Sequence, residues 1–526
     1  MHGLALIGLL AGSFAVTALA RRFGGSPPLV LVVVGLAVSF VPGLPDYEID
    51  PELVLLLVLP PLLYSAALDS SYLRIRDDLR AISLLSVGLV LFTTAAVGLV
   101  AWWLVPGLPL AAALVLGAVV APPDAVAAAA VGRRLGLPRR IMTILGGESL
   151  ANDATALTAY RVAVAVAAGA TYTIWQGLGV FVLAAVGGAV VGWAIGWVVH
   201  RVRLALRDGV LESAVGLIVP FAAYQLAEEV HASGVIAVVV CGLYLGHLAP
   251  RAGSAARLQE QAVWKAADTL LESLVFALIG LQLRGVVDGI DGGLGSLLVT
   301  GAVLTLVAIV ARVVWVFPAT YLPRRLSRRI RTRDPAPPWR YPAVISWAGM
   351  RGVVSLAAAF AIPLTTDSGA AFPGRDAILL LAFIVTVGTL LVQGLTLPSV
   401  IRLLGVRGEE GMADTLAEAQ AKQDASRAAL ERLDELDSGD PLHEGAVAKL
   451  RHGTEARSNA AWERLGRSSP ENDETPSAFY RRLRREMLAA ERAVFVRHRD
   501  ERRIDDEVFR RVQRELDLEE SMLERE

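Results

Sequence analysis

The chain has 526 residues, 54% of them hydrophobic, and its mean hydropathy of +0.52 excludes an ordinary soluble protein. The formal net charge is only −1, but residues 1 to about 405 are apolar whereas the remainder is dense in Arg, Glu and Asp. A single cysteine, Cys241, excludes a disulfide within the chain. We therefore expect a transmembrane domain over residues 1–405, embedded in the lipid bilayer, a polar tail over 406–526, and no nucleic acid among the partners.

The first apolar segment, LALIGLLAGSFAVTALA, follows no basic residue and precedes Arg21 and Arg22, which is unlike a cleavable signal peptide. We expect it to be the first spanning helix. Twelve further segments follow at about 27–42, 52–68, 80–104, 108–131, 140–167, 176–199, 209–227, 233–249, 262–283, 296–321, 341–363 and 376–404. Together they predict an all-α membrane protein with about 13 transmembrane helices, each crossing roughly 30 Å of hydrocarbon.

The loops between these segments alternate in their content of arginine. The arginine-rich set lies at residues 21–22, 74–80, 133–140, 201–207, 251–257 and 323–340. The other set, with sequences such as GLPDYEIDPE and GATYTIWQG, contains only Arg284 and Arg375. Because cytoplasmic loops are enriched in Lys and Arg, and a miscounted helix would mix the two sets, the alternation supports the number of spans. It predicts a multi-pass protein of the cell (plasma) membrane with its N-terminus outside and its C-terminal tail in the cytoplasm.

The fifth segment, LPLAAALVLGAVVAPPDAVAAAAVG, contains two consecutive prolines. Pro122 and Pro123 remove two backbone donors in mid-helix, so we expect the helix to break just before Asp124. A break exposes carbonyl groups on the first half-helix and N–H groups on the second, and a carboxylate offsets the partial positive charge of the latter. Asp124 therefore belongs either to an ion site or to a simple capped kink.

The sixth segment carries the polar sequence GGESLANDATALTAYR. Residues four apart share a helical face, so Ser149 lies below Asp153, and Glu148 lies below Asn152. Hydroxyl, amide and carboxylate oxygens are ligands that hard monovalent cations accept in place of water. No Cys or His stands nearby at ligand spacing, which argues against zinc or copper. Arg161, two turns beyond, either snorkels outward or balances another acid.

The twelfth segment, RYPAVISWAGMRGVVSLAAAFAIP, places Arg351 about 16 Å of helix away from Arg340 at its cytoplasmic end. That depth is too great for easy snorkelling, so Arg351 needs a buried acid, and Glu148 and Glu272 are the candidates. The two glycines of GMRG would let a neighbouring helix approach closely.

Arg351 cannot by itself neutralise Asp124, Glu148, Asp153 and Glu272 together. At least one carboxylate must therefore be protonated or bind a cation, and binding of one excludes the other. If the negatively charged site without a proton or cation is too costly to move across the bilayer, the protein can move only when one of them is bound. Exchange of one for the other is then obligatory. We assign Asp153 as the exchanging carboxylate, with Ser149 and backbone carbonyls near Pro123 as further ligands of the cation.

Five motifs now carry a family resemblance: PPDAVA at 122–127, GESLAND at 147–153, AEEVHASGVIAVVVCGLYLG at 227–246, ESLVFALIGLQL at 272–283 and WAGMRGVVSLA at 347–357. In this order they resemble the electroneutral sodium/proton antiporters, the bacterial relatives of the eukaryotic sodium/proton exchangers. The resemblance implies a homodimer, inverted repeats, crossed discontinuous helices in the fifth and twelfth spans, and alternating access.

The resemblance also implies residue roles. Asp153 matches the family's ion-site aspartate and Asn152 its neighbouring asparagine. Glu148 and Arg351 match a buried structural ion pair, and Asp124 matches the aspartate of the broken helix.

The chain departs from the family pattern at two places. Many members have Thr-Asp-Pro where this chain has Pro-Asp-Ala at 123–125, and many have a cation-binding glutamate where it has Ser65. Asn152 before Asp153, in place of a second aspartate, resembles the branch that exchanges one cation for one proton.

We therefore expect a secondary active transporter and not an enzyme, which exchanges Na⁺ or Li⁺ for H⁺ in pH homeostasis and needs no cofactor. A K⁺/H⁺ antiporter is the close alternative. A cation channel and an intramembrane hydrolase with paired aspartates are alternatives of other classes. The tail is helix-forming and charge-alternating, which predicts either a regulatory or dimer-stabilising helical module with an unidentified ligand or partner, or a solvated appendage.

Overall fold

The computed structural model describes residues 3–41, 56–170, 174–206, 208–251, 254–288, 293–366, 368–408, 410–437, 444–463 and 476–525. The regular secondary structure of these residues is helical, with two isolated antiparallel bridges, and this confirms the all-α prediction. The chain divides into two compact units, Met1–Gly408 and Glu409–Glu526.

The first unit contains fifteen main helices in its described residues. The first seven are α1 (Gly3–Arg22), α2 (Pro27–Ser39), α3 (Leu59–Leu68), α4 (Leu79–Leu104), α5 (Leu110–Val120), α6 (Ala125–Leu135) and α7 (Arg139–Ala168). The next eight are α8 (Ile174–Leu206), α9 (Gly209–Glu229), α10 (Gly234–Leu248), α11 (Ser254–Leu281), α12 (Leu294–Leu326), α13 (Arg340–Trp347), α14 (Val353–Phe360) and α15 (Arg375–Leu404). Short helices lie at Tyr72–Asp77, Leu283–Asp288 and Arg328–Arg333.

Each of the thirteen predicted apolar segments contains at least one of these helices. In the described part of the chain, five helices are long and apolar enough to cross a bilayer: Leu79–Leu104, Trp175–Leu206, Gly209–Glu229, Leu294–Leu326 and Arg375–Leu404. Several others are shorter because their segment is broken or, like that at 52–68, lies partly outside the described residues. The number of crossings and the inverted repeats stay predictions.

The fifth and twelfth segments are both broken, and their breaks meet. Helix α5 ends before the two prolines and α6 begins directly after Asp124, because Pro122 and Pro123 cannot donate backbone hydrogen bonds. Pro123 forms an isolated antiparallel bridge with Arg351, which lies between α13 and α14, and the N–H of Asp124 donates to the carbonyl of Met350 at 2.7 Å. The predicted pair of meeting discontinuous helices is therefore confirmed.

Helix α7 carries the polar stretch through an apolar surrounding. It packs against α4, α5, α6 and α10. Leu145, Leu150 and Ala154 are buried on α7 close to its polar residues. This packing excludes water from the polar side chains and raises the cost of leaving any of them uncompensated.

Three of the arginine-rich loops, at 74–80, 133–140 and 323–340, meet on one face of the first unit. The carboxylate of Asp334 accepts hydrogen bonds from arginines at three of these loops, Arg80, Arg140 and Arg324. Gly408, at the end of the unit, donates its N–H to the carbonyl of Gly136, in the same loop as Arg140, at 2.8 Å. The contacts agree with a common side for these loops.

The described residues of the second unit form two helix pairs. Helices α16 (Glu410–Leu436) and α17 (Glu444–Glu463) pack together, as do α18 (Pro476–Asp500) and α19 (Asp506–Arg525). Leu488, Leu516 and Leu523 form a small apolar core in the latter pair. Hydrogen bonds to Glu519 and Glu491 raise the pKa of Arg484, so ion pairing on the surface reinforces this core.

Candidate ion-binding site

Asn152 and Asp153 lie side by side on α7 where the two broken helices meet. Asn152 is completely buried and Asp153 is 7% exposed. The Nδ2 of Asn152 donates to the carbonyl of Pro123 at 2.7 Å, while its Oδ1 is buried with no hydrogen-bond partner among the described residues. Ser149 is half-buried one turn before Asp153. Asp124 is close enough for its charge to interact with that of Asp153.

These positions bring together most of the predicted ion site. The carbonyl of Pro123 has a second lone pair beyond the one used by Asn152, so it still can contact a cation. A buried acceptor without a partner, such as the Oδ1 of Asn152, calls for a cation, a proton donor or water. The cluster is an oxygen-rich site on an unwound backbone, which is the kind of site that suits a hard cation.

Glu148 is paired with Arg312 of α12. Nη1 and Nη2 of Arg312 donate to the two carboxylate oxygens at 2.5 and 2.8 Å, and both side chains are almost fully buried. Nε of Arg312 donates to the carbonyl of Ile345 at 3.0 Å. The predicted direct pair between Glu148 and Arg351 is therefore wrong, because the two-pronged guanidinium of Arg312 already satisfies both oxygens.

Arg351 instead lies at the carbonyl end of α5. It is 1% exposed, and its Nη1 donates to the carbonyl of Ala121. Its N–H donates to Oγ1 of Thr389 at 3.1 Å, and its Nε has no partner among the described residues. The guanidinium thus offsets the partial negative charge that the end of α5 exposes.

Two further carboxylates lie on α11. Glu272, predicted from the sequence, is half-buried, and Asp268 lies one turn before it. Oγ of Ser65 donates to Oδ2 of Asp268 at 2.5 Å. The charges of Asp124 and Asp268 both act on Glu272. Many members of the family have a glutamate at the position of Ser65. In this chain Asp268 places a carboxylate beside that position.

Two glycines allow the close approach expected around GMRG. A Cβ on Gly352 would overlap the side chain of Asp124, and a Cβ on Gly349 would overlap that of Arg312. Arg161 lies outside this cluster, where it is exposed and pairs with Glu228 at 2.8 Å, so it balances another acid.

Comparison with known proteins decides the family. Residues 9–403 match the family profile described as "Sodium/hydrogen exchanger, transmembrane". The chain belongs to this sodium/hydrogen exchanger family. As a family member it is a multi-pass membrane transporter, and not an enzyme, of the monovalent cation/proton antiporter type.

Individual relatives of this exchanger extend over different lengths. An uncharacterized Na⁺/H⁺ exchanger of Mycobacterium tuberculosis is 37% identical and covers 98% of this chain and 95% of the relative. A sodium, potassium, lithium and rubidium/H⁺ antiporter of Bacillus pumilus is 33% identical, and the match covers 75% of this chain and 60% of the relative. The structure of the sodium proton antiporter MjNhaP1 of Methanocaldococcus jannaschii matches with a TM-score of 0.60 and 18% identity, covering 76% of this chain and 99% of the other. The last match shows a shared fold.

Arg312 and Asp268 were not among the residues predicted from the sequence. Arg312 stands in AIVARVVWVF, in the middle of the eleventh apolar segment, so its depth was as strong a signal as that of Arg351. Asp268 stands one turn before Glu272 in the sequence ADTLLESLVF. With these two residues included, the acids still outnumber the available arginines, because Arg312 forms an ion pair with Glu148. The count of charges then sets Arg351 alone against the four acids Asp124, Asp153, Asp268 and Glu272.

Proposed function

We propose that this protein exchanges one Na⁺, or Li⁺, for one H⁺ in an electroneutral cycle, with Asp153 as the exchanging carboxylate. Ser149, the Oδ1 of Asn152 and the carbonyl of Pro123 supply further oxygens to the cation. Asp124 holds the negative charge of the site at the start of α6. The observation that carries the proposal is the buried Oδ1 of Asn152, which has no hydrogen-bond partner in the described part of the chain, beside the buried carboxylate of Asp153.

The exchange follows from the charge of this site. A bare carboxylate in a poorly hydrated place is costly, whereas a protonated or cation-bound one is not. Because the proton and the cation use the same oxygens of Asp153, one leaves before the other binds. A single titrating group in the cycle then exchanges a single charge for a single charge.

Two buried arginines support this site without binding the ion. Arg312 fixes Glu148 one turn before Asn152, which holds the polar face of α7 in place. Arg351 holds the carbonyl end of α5, so that only part of the unwound backbone remains for the ion. Glu272 and Asp268 add negative charge that attracts a cation toward Asp124.

A K⁺/H⁺ antiporter is the second candidate. The Bacillus pumilus relative is named for sodium, potassium, lithium and rubidium. In this chain the glutamate position of the third span is Ser65, whose hydroxyl contacts Asp268 of α11. Asp268 extends from α11, whereas a glutamate at position 65 would extend from α3, so the distances between the cation ligands differ. The spacing of the ligands determines which cation size is preferred.

We further propose that the protein lies in the cell membrane as a homodimer, with its arginine-rich face and its tail in the cytoplasm. The alternation of arginine between loops and the contacts among the arginine-rich loops support this orientation. We assign transport to residues 1–405 and a regulatory or dimer-stabilising role to 406–526.

Vesicles with an imposed pH gradient test the exchange. Addition of Na⁺ or Li⁺ should dissipate the gradient, independently of an imposed membrane potential, and the order among Na⁺, Li⁺ and K⁺ distinguishes the two candidates. Asp153→Asn should abolish the response to all three cations.

Asp376→Asn is the matched control, because Asp376 lies in the first turn of α15 with a mostly exposed side chain, 67% accessible. It should exchange like the wild type. Normal exchange by Asp153→Asn would refute the assignment of the carboxylate, and an ion current without proton movement would indicate a channel.

A further inference from the structure

A small cavity lies on the arginine-rich face, away from the ion site. It has a volume of about 50 Å³ and lies among the ends of α4, α7, α12 and α13. Most of its lining is apolar and includes Leu84, Ile144 and Ile345, but three arginines also line it, Arg80, Arg140 and Arg324. At about 10–15 Å³ for one water, the cavity has room for a few waters or one group of similar size.

The three arginines share one carboxylate. Asp334 accepts from Nη2 of Arg80 at 2.5 Å, from Nη2 of Arg324 at 2.7 Å and from Nη2 of Arg140 at 2.8 Å. Asp78 accepts two further hydrogen bonds from Arg140, at 2.8 and 3.0 Å. Three guanidinium groups therefore face two carboxylates, which leaves one positive charge in excess.

The excess positive charge coincides with a buried hydrogen-bond donor on Arg80. Nη1 of Arg80 is buried and has no hydrogen-bond partner among the described residues. The charges that act on Arg80 are those of Arg324, Arg140, Asp334 and Asp78, so its electrostatic surrounding is this same network.

Asp334 cannot supply more negative charge. Burial raises the pKa of Asp334, but hydrogen bonds from Arg140 and Arg324 outweigh burial and hold the pKa below its usual range. Asp334 is therefore already ionised at neutral pH. The apolar lining reduces screening by water, so an anion in the cavity would interact strongly with the remaining charge.

We propose that this cavity binds one phosphate group, with Arg80 as its principal ligand and Arg140 and Arg324 beside it. The group belongs either to an anionic lipid of the adjoining leaflet or to free phosphate. Guanidinium groups recognise phosphate oxygens through paired N–H donors, and the surplus charge and the unpartnered donor match one such anion. The inference does not depend on which cation is exchanged.

Thermal unfolding of the purified full-length protein in neutral detergent tests the site. We expect phosphatidylglycerol or inorganic phosphate to raise the Tm, whereas phosphatidylcholine and chloride at equal ionic strength should not. A response to phosphatidylglycerol alone assigns the site to lipid, and an equal response to inorganic phosphate assigns it to the free anion. No rise with either would overturn the proposal.

Three variants make the test specific. Arg80→Gln should weaken the apparent affinity by about tenfold, as expected for loss of a charge-assisted hydrogen bond. Ala319→Leu fills the cavity from its α12 wall and keeps every charge, so it should weaken binding even if Arg80→Gln folds poorly. Arg74→Gln, at an exposed arginine of the same face, should bind like the wild type. Wild-type affinity in Ala319→Leu would refute the location.

Discussion

Arg312 and Arg351 are both about 1% exposed, but their charges have different neighbours. Arg312 forms a bidentate pair with Glu148, which leaves little net charge. Arg351 donates to the carbonyl of Ala121 at the end of a half-helix, so it compensates a helix dipole. Glu148 is therefore structural, whereas Asp153, five residues further along α7, is available for the proposed exchange.

We expect Glu148→Gln or Arg312→Gln alone to destabilise the protein by about 3–5 kcal/mol, because each leaves a buried charge without its partner. The double variant Glu148→Gln/Arg312→Gln should be less unstable than the sum of the two single variants. The Tm of purified protein measures this coupling. Additive losses, or rescue of Glu148→Gln by Arg351→Gln and not by Arg312→Gln, would contradict the observed pairing.

Asp268 provides a milder test at the same scale. Asp268→Asn keeps an acceptor for the hydroxyl of Ser65 and removes one negative charge near Glu272. We expect exchange to persist with an apparent cation affinity several-fold weaker, because the attraction of the site for cations falls. Concentration dependence of the vesicle response measures it, with Asp376→Asn as the control. An unchanged affinity would show that Asp268 serves only to hold α3 against α11.

At the scale of elements, the ion site depends on two broken helices that approach within backbone hydrogen-bonding distance. The break of the fifth segment was predictable because two prolines remove its donors, whereas the break of the twelfth was expected only from the family resemblance. The partner of Glu148 was not predictable in the same way. Periodicity shows which face of α7 a residue occupies, but not whether α12 or the α13–α14 link packs against that face.

Close approach at this crossing predicts a sharp effect of one methyl group. Gly352→Ala should reduce exchange strongly, because the added Cβ would overlap the side chain of Asp124 and displace one half-helix from the other. Gly146→Ala is the matched control. Gly146 lies on α7, the helix that carries Asn152 and Asp153, and a Cβ at this position would meet no atom within 4 Å. Vesicle exchange at equal protein level compares the two. Equal exchange in both variants would mean that the crossing tolerates separation.

At the scale of the whole molecule, composition and loop charge were sufficient to predict a helical membrane domain and a separate polar tail. The number of crossings is harder to predict, because breaks in helices shorten the apolar runs that reveal them. The surplus of buried acid over buried base was predictable as a sum, although the sum omitted Arg312 and Asp268. The net buried charge is unchanged by these two omissions because Arg312 is positive and Asp268 is negative. The assignment of individual ion pairs does change, because Arg312 is the partner of Glu148.

The compact division of the chain predicts that transport belongs to the first unit. A chain ending at Gly408 should still exchange the same cations in the same order, because the ion site lies wholly within Met1–Gly408. Altered pH dependence or altered dimer stability in this variant would assign the tail its role. Vesicle exchange and the size of the purified protein measure both. Loss of folding on truncation would show that the two units depend on each other.

Proton release from purified protein in weakly buffered detergent tests exchange at Asp153 most directly. Competition of cation and proton for Asp153 predicts that Na⁺ addition releases up to about one proton per chain, with release decreasing as the starting pH rises and the site loses its proton. Asp153→Asn should release none, whereas Asp376→Asn should match the wild type. Cation binding without proton release in the wild type, or full release from Asp153→Asn, would contradict exchange at this carboxylate.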